Sequence, residues 1–291
     1  MDKMNKRIWL SGFAIVIFFT AVFALHGLLQ EPAVHTPLRH LFKTYEVSTD
    51  ENGAKCVNNS DKAFERIEAG KMNSWDAEHY KRIKETLYTT ERIECWAFFP
   101  LFSLVWRATG LDSLGIGILN CLLFAIGMLI MFKIFENKLP LWGFLLVLCV
   151  PYLVIFMMPY TEALFFLCIA AGLYGIIKEK YRLYFVGFLL ASMTKASASI
   201  LIAVFLFAEI ISATYHRKPL FFLARFGKRI LPVVLGLLCV MMFQKLRGAE
   251  NFHQFFISQK IWGKFLSLPT LPFTDWSSEG KSITDPFLLL Y

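Results

Sequence analysis

The sequence predicts an all-α polytopic membrane protein, and three observations lead there. Hydrophobic residues make up 56% of the 291 and charged ones only 18%, too little charge to coat a water-facing surface. The mean hydropathy is +0.52, and apolar runs of helical length recur along the whole chain. The basic residues stand in short tracts beside those runs, as the cytoplasmic loops of membrane proteins do. These tracts account for the net charge of +8, so no nucleic acid is expected as a partner. The lipid bilayer is.

Residues 1–29 are expected to be the first transmembrane helix. Lys3, Lys6 and Arg7 precede an apolar run over 8–29 that is too long for the core of a signal peptide. It ends on His26-Gly27-Leu28-Leu29-Gln30 rather than on a small-residue cleavage site, so it reads as an uncleaved span. Residues 30–97 form a large extracytoplasmic loop. Residues 31–94 hold ten Lys and Arg against twelve Asp and Glu, without the positive excess of a cytoplasmic loop.

Within that loop, 61–71 reads as a short polar helix, and Asn58-Asn59-Ser60 is a glycosylation sequon relevant in a eukaryotic host. Tyr80, Ile83 and Leu87 recur at helical spacing with Lys81, Arg82, Lys84 and Glu85 between them. That spacing predicts an amphipathic helix lying on the membrane surface. Cys56 and Cys95 are the loop's two cysteines. An oxidising compartment would permit a disulfide between them, and two free thiols are the alternative.

Residues 98–243 are expected to be a transmembrane bundle, giving about seven transmembrane helices in all. The aromatic stretch 96–106 contains Phe98-Phe99-Pro100 and has about eleven residues where a crossing needs about twenty, so it reads as re-entrant or interfacial. A second span over 114–135 ends inside at Lys133 and Lys138. A third over 139–157 returns outward to Met158-Pro159-Tyr160-Thr161-Glu162. A fourth over 163–177 ends inside at Lys178-Glu179-Lys180-Tyr181-Arg182. The stretch 183–211 is either one long span or a helical hairpin broken near Met193-Thr194-Lys195-Ala196-Ser197. The hairpin keeps Arg217, Lys218, Arg225, Lys228 and Arg229 inside and is preferred. The seventh span covers 230–243. Residues 244–291 form an extracytoplasmic segment leading to an incomplete C-terminal span at Asp285-Pro286-Phe287-Leu288-Leu289-Leu290-Tyr291.

With the basic tracts inside, the features with no obvious structural duty collect on the outer face: Asp76, the Phe98-Phe99-Pro100 segment, Tyr160 to Glu162, Thr194-Lys195, and Gln259 to Lys264. A carboxylate at a membrane interface with a nearby fixed cation suits sugar transfer from a lipid-linked donor. The acceptor hydroxyl needs a base to take its proton, and the departing lipid phosphate needs its charge held. Asp76 is the candidate base and Lys195 the candidate phosphate partner, with no metal required. Each has a plainer reading. Asp76 could be a helix N-cap, Glu162 a partner for a helix dipole, and Lys195 a cation snorkelling from a helix end. Glu78 and His79 read first as solvated helix positions, with acceptor binding as a secondary role, and His79 has no second ligand spaced for a metal. Trp75 and Tyr80 are expected to seat Asp76 at the interface. Trp262 would stack on a sugar, and Lys264 would touch a phosphate or be solvated.

These motifs carry a resemblance. Trp75-Asp76 with Tyr80, Phe98-Phe99-Pro100-Leu101, Pro159-Tyr160-Thr161-Glu162-Ala163-Leu164-Phe165, Ser192-Met193-Thr194-Lys195, and Gln259 with Trp262-Gly263-Lys264 and Pro269 resemble, in order, the motifs of the PIG-V-type mannosyltransferases. The resemblance spans about residues 75–269 and rests on order and spacing. It implies a GT-C-like fold and an inverting transfer of a hexose, mannose first, from a polyprenyl or dolichyl phosphate sugar to a glycan or glycolipid acceptor. Asp76 would be the catalytic acidic residue. Tyr160, Glu162, Lys195, Gln259, Trp262 and Lys264 would serve donor and substrate binding, without a cofactor. It also implies a multi-pass protein of a bacterial plasma membrane ahead of the endoplasmic reticulum. The chain departs from the family where Lys195-Ala196 replaces the usual Arg-Pro, which keeps the charge and loses the bidentate grip of Arg. It also stops where relatives continue through further spans, so it is expected to be a short member or to work with a partner subunit. A transporter is the competing reading, but transporters keep charges near the bilayer midplane and show internal repeats, and no repeat is evident here. A non-enzymatic assembly subunit is the third.

Overall fold

A computed structural model describes residues 17, 19–21, 44–49, 55–60, 72–73, 76–135, 155–216, 222–250, 254–255 and 257–258. The expected polar helix over 61–71, most of the first and third spans, Trp75, and the segment with Gln259, Trp262 and Lys264 lie outside the described residues.

From residue 76 onward the described elements are all helical, as expected. Ahead of them, as a correction to the all-α expectation, the described residues hold one antiparallel pair of strands, β1 (Thr44–Thr49) and β2 (Lys55–Ser60), with Val47 opposite Val57, because a backbone pair can close locally outside the helical part. Asn52-Gly53 stands between them in the sequence, a residue pair that favours hairpin turns. The sequon residues Asn58, Asn59 and Ser60 lie on β2.

The helices are α1 (Asp76–Thr86), α2 (Pro100–Thr109), α3 (Ser113–Ile134), α4 (Glu162–Ile177), α5 (Tyr181–Thr194), α6 (Ile200–His216) and α7 (Phe222–Leu246). Local chemistry sets their ends. Pro100 opens α2, where its missing N–H costs nothing, and Gly110 closes it in the left-handed region. Asp112 caps α3 by accepting from the Gly115 N–H at 2.7 Å. Ser192 and Thr194 turn their hydroxyls back onto Phe188 O and Leu190 O, bonds that compete with the helix ladder. One residue later Lys195 is extended, at φ −149° and ψ 138°, and a short 3-10 turn over Ala196–Ser199 leads into α6.

That break is the expected helical hairpin. Phe205 of α6 packs edge-on against Phe188 of α5 with ring centroids 5.4 Å apart, whereas a continuous helix would place residues this far apart about 25 Å from one another. α5 also packs antiparallel on α4. A methyl group at Gly187 would stand 2.5 Å from the Gly172 backbone nitrogen, so only glycines allow this approach. α3 and α4 run side by side in the same direction: Asn120 meets the backbone just before α4, and Gly127 packs on Phe166.

Two helices, α3 and α7, are long and apolar enough to cross a membrane. At 22 residues, α3 would span about 33 Å. Only 33% of the apolar window of α3 and 22% of that of α7 are buried within the described structure; a core helix of a soluble protein is mostly buried. Ile118, Leu122 and Ile126 form an exposed apolar stripe on α3, and Val204, Phe207 and Ile211 another on α6. α4, α5 and α6 have 16, 14 and 17 residues, short of the about twenty that a crossing takes. α2 has ten residues and is too short to cross, in line with the non-spanning reading of 96–106.

One expectation is corrected. α1 is amphipathic, but its apolar face lies on protein rather than on a membrane surface. Ala77, Tyr80 and Ile83 are buried, Tyr80 against Phe98 and Phe102, and Ile83 in a cluster with Tyr88, Cys95, Trp96 and Phe98. Packing on the aromatic face of α2 removes the same apolar area from water and adds fixed bonds. Ser103 Oγ donates to Tyr80 O at 2.9 Å, and Lys84 Nζ donates to Leu111 O at 2.8 Å. α1 and α2 thus form one platform over the end of the bundle where α3 and α4 begin.

Candidate active site

Asp76 is the first residue of α1, and Glu78 shares its first turn. The platform brings α1 against the start of α4. Tyr80 Oη lies 3.5 Å from Thr161 Oγ1, and that hydroxyl lies 3.5 Å from Glu162 Oε2. Below them, buried Asn120 of α3 donates to Met158 O at 2.6 Å and Tyr160 O at 2.9 Å, fixing the turn that carries Tyr160, Thr161 and Glu162. From the broken hairpin, Lys195 Nζ donates to Glu162 Oε1 at 2.7 Å. Glu162 on α4 and Lys195 at the α5–α6 break thus meet at the end of the bundle where Asp76 opens α1, and both of their charges act on the Asp76 carboxyl.

The electrostatics follow from this arrangement. Asp76 is exposed on one side, yet its pKa is raised above the ordinary carboxylate value. Burial of its other side contributes most, the Glu162 carboxylate adds to it, and the Lys195 ammonium offsets part. With Asp76 ionised the trio carries one net negative charge; with Asp76 protonated it is neutral. Lys195 is therefore not an unengaged cation, since its charge is already met by Glu162.

The other candidates fall into separate groups. Tyr160 stands beside the trio, partly exposed, with its carbonyl held by Asn120. Glu78 pairs with Arg82 on the exposed face of α1, the solvated position that its helical spacing suggests. His79 turns the other way. It stacks on Phe98 with centroids 4.6 Å apart, and its Nδ1 lies 3.7 Å from Cys95 Sγ. Burial, then the Arg82 charge, lowers its pKa. Tyr80 is packed inside the protein: it is 5% exposed, edge-on against Phe98 and Phe102, and burial pushes its hydroxyl pKa well up. Cys95 is a free, buried thiol rather than half of a bridge with Cys56, and burial, with Glu94 beside it, pushes its pKa up to about 11. Trp75, Gln259, Trp262 and Lys264 lie outside the described residues.

Two supporting residues escaped the sequence reading, Asn120 and Ser103, and Thr161 was singled out only as part of its motif; all three are buried. Asn120 carried a usable signal, because a side-chain amide inside an otherwise apolar run is costly unless it has partners. Ser103 carried none, since hydroxyls of this kind are as common on surfaces. Among the described residues no group of three His, Cys, Asp or Glu side chains is placed to hold a metal ion. In comparisons with known proteins, no family model, no curated protein and no solved structure matches this chain.

Proposed function

We propose that this chain is an integral membrane glycosyltransferase that moves a hexose, mannose first, from a polyprenyl or dolichyl phosphate sugar to an acceptor hydroxyl on the extracytoplasmic face. The observation that carries the reading is the Glu162–Lys195 ion pair at the end of the bundle where Asp76 opens α1, near enough for both charges to act on the Asp76 carboxyl. The resemblance in motif order to the PIG-V-type mannosyltransferases supports it, as does the charge at the opposite end. Lys178, Lys180 and Arg182 gather there with Arg225, Lys228 and Arg229, which would make that end cytoplasmic and the Asp76 end extracytoplasmic.

In this mechanism the acceptor oxygen attacks the anomeric carbon as the bond from that carbon to the phosphate oxygen breaks. The configuration inverts, and the acceptor proton passes to the Asp76 carboxylate. The electron pair leaves with the lipid phosphate. Its growing charge draws the Lys195 ammonium from Glu162, so the ion pair acts as a held reserve of positive charge. A raised pKa suits Asp76 to this task, because a base is most effective when its pKa approaches the working pH. The enzyme would be multi-pass, in a bacterial plasma membrane ahead of the endoplasmic reticulum, with α4 to α6 as short limbs accommodated by local thinning of the bilayer.

The test is transfer by the purified, reconstituted protein supplied with labelled polyprenyl phosphate mannose and a panel of glycan and glycolipid acceptors. Asp76→Asn keeps shape and size and is expected to lower the rate by about 10²- to 10⁴-fold. Transfer by the Asn variant at the parent rate would sink the assignment.

A further inference from the structure

At the opposite end of the bundle a cavity of about 300 Å³ opens between the end of α4, the start of α5 and the first turns of α7. Arg225, Lys228 and Arg229 line it together with Tyr181, Ile176 and a single acid, Glu179. A second acid, Glu209 of α6, is buried behind two of the cations. Its carboxylate pairs with Arg225 Nε at 3.0 Å and Arg229 Nη1 at 2.9 Å. The Tyr184 hydroxyl donates to Arg229 O and ties α5 to the same turn of α7. Lys228 Nζ lies 5.2 Å from the centre of the Tyr181 ring. One guanidinium nitrogen, Arg225 Nη2, is buried with no hydrogen-bond partner among the described residues.

Two arginines held in place by a buried carboxylate, with a lysine beside them, present the forked and point donors that bind phosphate oxygens. The apolar share of the lining decides what the phosphate is attached to. Ile176 lies in the wall, and Ile177, Leu183 and Val186, close by in α4 and α5, are exposed apolar side chains that would run alongside acyl chains. We infer that this cavity binds the phosphate group of an anionic phospholipid, at the end of the bundle away from Asp76. The inference does not depend on the transferase reading, since none of these residues belongs to that site.

The experiment uses the full chain in a nonionic detergent, titrated with short-chain phosphatidylglycerol, with phosphatidylcholine of the same chain length, and with inorganic phosphate. Phosphatidylglycerol is expected to bind about tenfold or more tightly than phosphatidylcholine and to weaken as salt is added. Lys228→Gln is expected to lose roughly fivefold in affinity, and Lys228→Arg to retain it. Arg225→Gln should also lose affinity, but it strands Glu209 and can unfold the chain, so the exposed Lys228 carries the decision. Equal binding of the two lipids, or parental affinity in Lys228→Gln with an unchanged melting temperature, would overturn the site. Competition by inorganic phosphate as potent as the lipid's own binding would overturn the lipid assignment in favour of a free phosphate compound.

Discussion

At the residue scale, Asp76 differs from an ordinary helix-start aspartate because of what two distant segments bring to it. The positive end of α1 alone would favour its ionised form; burial and the Glu162 carboxylate outweigh that and raise its pKa. If Asp76 is the base, activity needs it ionised. The rate then rises with pH through its pKa, and the acid limb of the profile lies above the usual carboxylate range. The neighbours move that limb in opposite directions. Glu162→Gln removes a repulsion, so the limb is expected at lower pH. Lys195→Gln removes an attraction, so it is expected at higher pH. A pH–rate profile of the three proteins checks both signs, and a role confined to packing would move neither. Asp76 and Lys195 were legible in the sequence because charge is rare in this chain. The partnership between Lys195 and Glu162 was not, since 33 residues and a helix reversal separate them.

At the element scale, the informative features are the break after Thr194 and the glycine contact between α4 and α5. The break was legible: Ser192, Thr194 and Lys195 interrupt an apolar run, and hydroxyls that bond back to the preceding turn weaken continuation. The glycine contact was not, because Gly172, Gly175 and Gly187 look like any glycines in an apolar helix until a partner is known. Their role is open to measurement. Gly187→Ala places a methyl group 2.5 Å from backbone and is expected to cost about 1–3 kcal/mol, the usual range for overpacking. Gly227→Ala, where a methyl group meets nothing within 4 Å, is expected to be neutral or to stabilise α7 by up to about 1 kcal/mol. Denaturation of both variants in detergent separates the two cases. α1 teaches the converse lesson. Its amphipathic spacing was read correctly, but spacing does not say whether lipid or protein covers the apolar face, and the aromatic side chains of α2 cover it.

At the scale of the whole molecule, charge is sorted between the two ends of the bundle. One end carries the mixed acids and bases of α1 and α2 with Glu162 and Lys195. The other carries the basic residues around the cavity. If the bundle spans a membrane, a thiol-reactive reagent that cannot cross lipid should label Glu78→Cys from outside intact cells or right-side-out vesicles. It should label Lys228→Cys only after permeabilisation, both in a background whose native cysteines are replaced. Labelling of both from one side would rule out the topology and the extracytoplasmic site with it.

The sequence by itself determined the helical class, the apolar composition, the turn after Thr194 and the shortlist of rare charges. These depend on local pattern, on how often apolar and charged residues recur and which residues end a helix. Only the tertiary structure decided which of those charges meet. It paired Lys195 with Glu162, set Asp76 within reach of both charges, turned His79 toward Cys95 and Phe98, and enlisted Asn120 and Thr161 to hold the turn between them. The physical reason is distance along the chain. A capping or hydropathy signal is written within a few residues, whereas a carboxylate's neighbours across a bundle depend on how whole helices cross, and that follows from contacts such as Gly172 against Gly187 that have no local signature.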